Sequence, residues 1–227
     1  MSAYDVLTAR GVTRLCHFTK LQSLTHIITS ANGILASSLI PQDARKVNDT
    51  VRYDGELDFV CCSVQYPNSW FLKKSTQNNT DRVFEDWVVL YVDLSILKYR
   101  KAKFCPCNAS KSSGAHINGN MDKIDSIFAP SVSTFAYSRS PKMLSSCPTD
   151  GQAEILIKDS IPRKYINGIA VGNEDVAGRV YAIIKGCGMV HNIALYIAPH
   201  VLTPDWSNLV KDGCRPDEIQ CKWSEED

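Results

Sequence analysis

The chain contains no run of about 18 apolar residues, and its opening lacks the basic, then apolar, then small-residue order of a secretory leader. No membrane-spanning helix is expected, and the protein is expected to be soluble and cytoplasmic. Internal repeats are also missing, so a solenoid or propeller is not expected. The nine cysteines form an odd set with no repeated two-residue spacing, which argues against a disulfide framework and against a paired zinc site. Cys105 and Cys107 with Cys147 and His116 have the right ligand types for zinc, but their spacing fits no standard pattern, and no metal is expected. Acidic side chains are absent between Asp93 and Asp122, where Lys98, Arg100, Lys101, Lys103 and Lys111 lie, and again from Ser126 to Thr149, where Arg139 and Lys142 lie. With a net charge of only +1, this asymmetry leaves locally basic stretches suited to phosphate, or simply to a solvated face.

What is present is enough for a sizeable core, since 44% of the 227 residues are hydrophobic. Apolar alternation predicts a strand over residues 14–19. Leu21, Leu24, Ile27 and Ile28 predict a helix behind it, ended by Asn32 and Gly33. Residues 37–55 read as a long functional loop, or a loop with one short helix, containing Arg45, Asn48 and Arg52. Residues 59–64 and 87–92 read as buried strands, 94–99 as a helical turn and 121–129 as a short helix. Further strands are expected at 168–171 and 193–198, with a helix over 173–185 between them. Residues 1–13 are expected to be only partly ordered, 78–81 to be a loop, 131–150 to be a mobile surface segment, and 199–227 to be a partly packed tail. Short strands and a few helices without regular alternation predict an α+β fold in a single domain.

The stretch from Pro148 to Ile157 turns from polar to apolar and leaves Glu154 as the sole acid on an apolar strand. A carboxylate placed there needs a partner or a ligand to offset its desolvation. One reaction uses such a group together with other types found here: displacement of nicotinamide from NAD. It needs a carboxylate near the ribose, cationic or donor groups for the pyrophosphate, and an aromatic wall for the nicotinamide. Glu154, Arg52 with His17, and Tyr66 or Trp70 supply those types. Each also has a structural reading: an Arg52 ion pair with Asp54 or Asp58, a buried imidazole, and aromatic core.

Four segments, in this order, sharpen the choice. They are the run from Leu15 through His17, Phe18 and Thr19 to Ile28 with Asn32 to Leu35; Asn48 to Gly55; Val60 to Ser69; and Thr149 to Ile157. Together they resemble the DarT family of DNA ADP-ribosyltransferase toxins over residues 14–172. The resemblance implies an ADP-ribosyltransferase-like fold, a central split mixed sheet flanked by helices, with NAD as co-substrate. It implies Glu154 and Arg52 as catalytic, with Arg45 a rival to Arg52. His17, Phe18, Thr19, Tyr66, Asn48 and Arg52 would bind the cofactor. It further implies transfer to a base of single-stranded DNA, held by Lys98, Arg100, Lys101, Lys103, Arg139 and Lys142, with residues 131–150 as a flexible approach. An antitoxin of the macrodomain type would be the partner. Transfer to RNA or protein, plain NAD hydrolysis, and a non-catalytic nucleic-acid-binding module are the competing readings.

Overall fold

The computed structural model describes residues 2–40, 53–77, 79–132 and 137–222. The start of the chain is ordered, contrary to the sequence expectation. Ser2 and Asp5 cap helix α1 (Ala3–Ala9) reciprocally, each side chain accepting from the other residue's backbone N–H, and Leu7 is fully buried. Strand β1 (Arg14–Lys20) passes directly into α2 (Leu21–Thr29), whose Leu21, Leu24, Ile27 and Ile28 form the buried face. Gly33 follows at φ 61°, and a Cβ there would lie 2.2 Å from the Ile161 carbonyl oxygen, so only glycine fits this crossing into β2 (Ile34–Leu35).

After β3 (Phe59–Val64), Asn68 and Asn79 cap α3 (Ser69–Ser75) and α4 (Thr80–Asp86), the second of which begins inside the 78–81 stretch expected to be a loop. They are too short for apolar periodicity to reveal, and their caps are the available signal. Strands β4 (Trp87–Asp93) and β5 (Ala102–Cys105) come next, then a 3-10 turn over Met121–Phe128 where a helix was expected. The antiparallel pair β6 (Ser131–Val132) and β7 (Tyr137–Ser138) precedes β8 (Glu154–Lys158), β9 (Ser160–Ile161) and β10 (Ile166–Val171). The described chain closes with α5 (Glu174–Gly186), β11 (Ala194–Ile197), α6 (Pro199–Leu202), α7 (Trp206–Lys211) and β12 (Ile219–Gln220).

Eight strands form one mixed sheet in the order β12-β11-β10-β4-β1-β3-β8-β5, with β10 and β11 parallel and the other neighbours antiparallel. The sheet is split in its middle. β1 pairs with β4 from Arg14 to Lys20, but with β3 only at Leu15–Val64 and Cys16–Ser63. Beyond Cys16 the two backbones part and leave a wedge between residues 17–20 and 59–62. This is the central split mixed sheet of an α+β fold.

Alternation sends successive strand residues to opposite faces. Leu15, Val88, Leu90, Val92, Ile155 and Ile157 join the large core beneath α1, α2 and α5. On the other face, Cys16, Trp87, Val89 and Tyr91 join a cluster with Leu72, Val201, Leu202 and Trp206, whereas Phe59, Cys105 and Leu156 belong to a separate cluster with Cys107, Ala109 and Val132.

Residues 204–222 are partly packed, as expected of the tail: Trp206, Val210 and Pro216 are buried, and Glu218 reaches the sheet. Arg14 is held bidentately by Glu218, at 2.8 and 2.5 Å, and its Nε donates to the Gln65 carbonyl at 3.0 Å. The guanidinium lies 3.7 Å from the Tyr91 ring centroid, and the Tyr91 hydroxyl donates to Glu218 at 2.6 Å. Burial opposes the charge on Arg14, but Cys16, Tyr91 and Glu218 around it outweigh that cost and keep the guanidinium protonated. Removing one member of so buried a pair strands the other charge. Glu218→Ala is therefore expected to lower the unfolding free energy by about 3 kcal/mol in urea titration, and a loss below about 0.5 kcal/mol would refute the assignment.

Candidate active site

Glu154 opens β8, and the register fixes its surroundings. Cys16, Ser63, Glu154 and Cys105 stand opposite one another on β1, β3, β8 and β5, so their side chains share one face. The outer two belong to the two separate apolar clusters, and the polar pair lies between them. Ser63 accepts from the Asn68 N–H at 3.0 Å, tying this row to the start of α3. Glu154 is only 9% exposed and accepts from the Asn108 amide at 3.3 Å. The amide is oriented in turn, because Asn108 Oδ1 accepts from the backbone N–H and the hydroxyl of Ser110.

Asn108 is carried by a loop that closes on itself. Phe104 and Asn118 exchange both backbone hydrogen bonds, at 2.8 and 2.9 Å, so residues 105–117 form a bounded excursion from the edge strand. Gly114, at φ 85°, brings this loop against the 53–58 segment, where a Cβ would lie 2.6 Å from the Asp54 carbonyl oxygen.

His17 lies where the sheet opens. Its Nδ1 is 2.9 Å from the Cys61 carbonyl, which can only accept, so Nδ1 carries the proton and the ring bridges the wedge. Phe18 is half-buried, with its ring 5.2 Å from Phe71 and 5.8 Å from Trp87, while Thr19 is buried. The carboxylate and its oriented amide thus stand in the row of the last β1–β3 pairing, and the imidazole spans the wedge one residue beyond it.

The sequence model of the family described as ssDNA thymidine ADP-ribosyltransferase, DarT, matches residues 16–203. The chain belongs to the DarT family. Among solved structures, Thermus sp. 2.9 DarT in complex with NAD+ superposes with TM-score 0.58 at 16% identity, covering 83% of this chain and 96% of that one. The same protein in complex with ADP-ribosylated ssDNA gives 0.59 at 14%, covering 84% and 96%. Thermosipho africanus DarTG in complex with ADP-ribose gives 0.58 at 19%, covering 84% of this chain and 51% of that one. At these identities the likeness is one of fold. A search of curated proteins finds no match.

Within this DarT chain the other expected site residues fall into distinct groups. Arg45, Asn48 and Arg52 lie outside the described residues. Tyr66, expected as a nicotinamide wall, is core: it is 2% exposed, packed 5.2 Å from Trp206 and beside Arg14. Its partner in that expectation, Trp70, packs edge-on against Trp206 at 5.6 Å. The basic residues do not form one strip. Lys98 lies over the Tyr4 ring, Lys103 pairs with Glu56 at 2.6 Å, and Arg100 donates to Ser160 at 3.4 Å. Arg139 donates to the carbonyls of Cys147 and Leu144, at 2.7 and 2.8 Å, which commits its guanidinium to the fold. Lys101 and Lys142 are exposed. Cys105 and Cys107 are adjacent, with sulfurs 3.9 Å apart, but Cys147 sits in the other cluster. Among the described residues no three His, Cys, Asp or Glu side chains are grouped to hold a metal ion.

The approach to Glu154 is the largest departure from expectation. Rather than a mobile segment, Ser146 to Asp150 is buried. Thr149 is bonded to the Ile127 and Ala129 carbonyls, at 3.0 and 2.6 Å, and Arg139 stitches the turn from behind. Gly151 is gripped by two indoles, since a Cβ there would come within 2.8 Å of both Trp70 and Trp206. Trp206 and Asp150 went unseen because nothing local in the sequence couples residue 206 to residue 151. Ser63 was not singled out either, although it is the lone hydroxyl in the apolar run 59–64.

Asp150 Oδ1 accepts from the Gln152 N–H at 2.9 Å, but Oδ2 is buried without a partner. Burial pushes this carboxyl above its usual 3.8. The folded state then holds its proton to higher pH than the unfolded chain, so this contribution is intact below about 3.8 and lost as pH rises through the elevated value. Asp150→Asn keeps the Oδ1 acceptor and removes the charge. It is expected to raise stability at pH 7 by about 1–3 kcal/mol and to flatten the decline between pH 4 and 7 seen in denaturant titrations. An unchanged pH profile would contradict an ionising, unpartnered Asp150.

Proposed function

We propose that this chain transfers ADP-ribose from NAD to thymidine in single-stranded DNA, with Glu154 as the catalytic carboxylate. The observation that carries the reading is the position of Glu154: nearly buried, oriented by Asn108, and level with the last rung before the sheet opens at His17. Family membership supplies the reaction class.

NAD supplies the ADP-ribosyl group and a leaving group, nicotinamide, that departs with the bonding electron pair. The bond from the ribose anomeric carbon to nicotinamide breaks, and a bond from that carbon to a thymine ring nitrogen forms. Within a DNA strand the ring nitrogen of thymine that still bears hydrogen is N3, so its proton must be lost as the new bond forms. Glu154 has two tasks: its charge stabilises the positive charge that develops on the ribose, and it accepts the N3 proton. Asn108 fixes the carboxylate's direction. His17, Phe18 and Thr19 flank the wedge and hold NAD, together with Asn48 and Arg52; Arg52 rather than Arg45 carries the catalytic arginine's role by its sequence context. Lys101 and Lys142 are exposed cations suited to the phosphates of the acceptor strand. Tyr66 and Arg139 are left out of the site because their groups are committed to the core.

The chain acts as a toxin in the bacterial cytoplasm and is countered by a macrodomain-type hydrolase that removes ADP-ribose from DNA. Support comes from the DarTG likeness, in which this chain spans about half of the other, 51%.

Glu154→Gln preserves size and the oxygen that accepts from Asn108. It is expected to cost at least about 10²-fold in transfer rate with the melting temperature unchanged, read as the mass increase of a thymidine-containing oligonucleotide incubated with NAD. Equal modification by both proteins would remove Glu154 from the mechanism. Labelling only of RNA or protein, or only free ADP-ribose, would replace the acceptor.

A further inference from the structure

One cavity among the described residues lies away from Glu154. It has a volume of about 580 Å³ and lies between two chain crossings on the opposite face of the sheet, lined by Asp93, Ser95, Tyr99, Arg100, Pro162, Lys164 and Tyr165. The crossings are the turns 94–98 and 163–165, whose apolar residues Leu94, Ile96, Leu97 and Tyr165 belong to the core on the Ile155 and Ile157 side. Tyr99 is 73% exposed, and its ring centroid is 6.5 Å from that of Tyr165, which is 9% exposed and forms the floor. The Lys164 ammonium sits 5.0 Å over the Tyr165 ring, and the Arg100 guanidinium enters from the other wall, donating to Ser160. The acid of the lining, Asp93, accepts from the Ser95 N–H at 2.7 Å.

An exposed ring beside two cations matches a nucleotide: a flat base to stack and a phosphate to neutralise. The edge of the sheet connects this cavity to the active site. β5 is the outermost strand; it begins just after Arg100 and Lys101 and ends at Cys105, the residue opposite Glu154. That run of five residue steps spans roughly 17 Å. Lys101 is exposed along it.

We propose that the cavity is a distal subsite for the acceptor strand. It stacks a base several nucleotides away from the modified one on Tyr99 and holds its phosphate with Lys164 and Arg100, so that the strand wraps the β5 edge. The proposal rests on single-stranded DNA being the acceptor.

The test uses fluorescence anisotropy of labelled single-stranded DNA with the wild-type chain and with the Tyr99→Ala, Lys164→Ala double variant, two changes on the surface and remote from Glu154. Acceptors of about four and about 16 nucleotides separate a strand too short to reach the cavity from one that reaches it. The expected result is about tenfold weaker binding of the long strand, no change for the short one, and a log-log salt slope shallower by about 0.7 for the lost phosphate contact. NAD hydrolysis without DNA and the melting temperature are expected to match wild type. Equal affinity for the long strand, or an equal loss for both strands, overturns the distal subsite. Failure of the wild type to bind any single-stranded DNA overturns the subsite and the acceptor together. Binding with the expected length dependence but no mass increase on the DNA upholds the subsite and rejects the proposed transfer.

Discussion

Two pairings, Leu15 with Val64 and Cys16 with Ser63, join the halves of the sheet. Everything at the candidate site is measured from them. On one side β1 is fully laddered to β4, and on the other β3 is fully laddered to β8, so each half is rigid in its own right. The wedge is therefore a fixed opening between two stiff ribbons rather than a frayed edge. His17 spans it, and Glu154 sits two strands away in the same row as the last pairing.

The rest of the molecule stiffens that junction. Arg14, the residue just before the first pairing, is the hub of a charge-assisted network with Glu218, Tyr91 and the Gln65 carbonyl. The turn before Glu154 is bonded from behind by Arg139 and pinched at Gly151 by Trp70 and Trp206. Catalysis that relies on a charge placed ahead of time gains from such support, because no reorganisation is left for the moment of reaction.

How much of this was legible depended on distance along the chain. Glu154 stood out because an acid on an apolar strand violates the local pattern, and β1 with α2 followed from apolar spacing and from the Asn32–Gly33 stop. The ordered start of the chain escaped because its capping box is a two-residue signal in a helix of only seven residues. The fixed lead-in to Glu154 escaped because its restraints, Ile127, Arg139 and Trp206, are distant or locally unremarkable, while its own composition of Ser, Pro and Thr reads as mobile. Tyr66 was misread for a related reason: an aromatic after a strand is ambiguous until its neighbour, 140 positions downstream at Trp206, is known. Fold class needed only periodicity, whereas the site needed tertiary restraint.

The Arg14–Glu218 pair also bears on the limits of the family-matched stretch. Family matching recognises residues 16–203, yet both partners of this ion pair fall outside those limits, one on each side, as do Trp206 and the edge strand β12. The part of the chain that is recognisable by descent is smaller than the part that folds together. Contacts that hold the sheet together therefore reach beyond the family-matched stretch, so changes at Arg14, Trp206 or Glu218 act on stability from outside it.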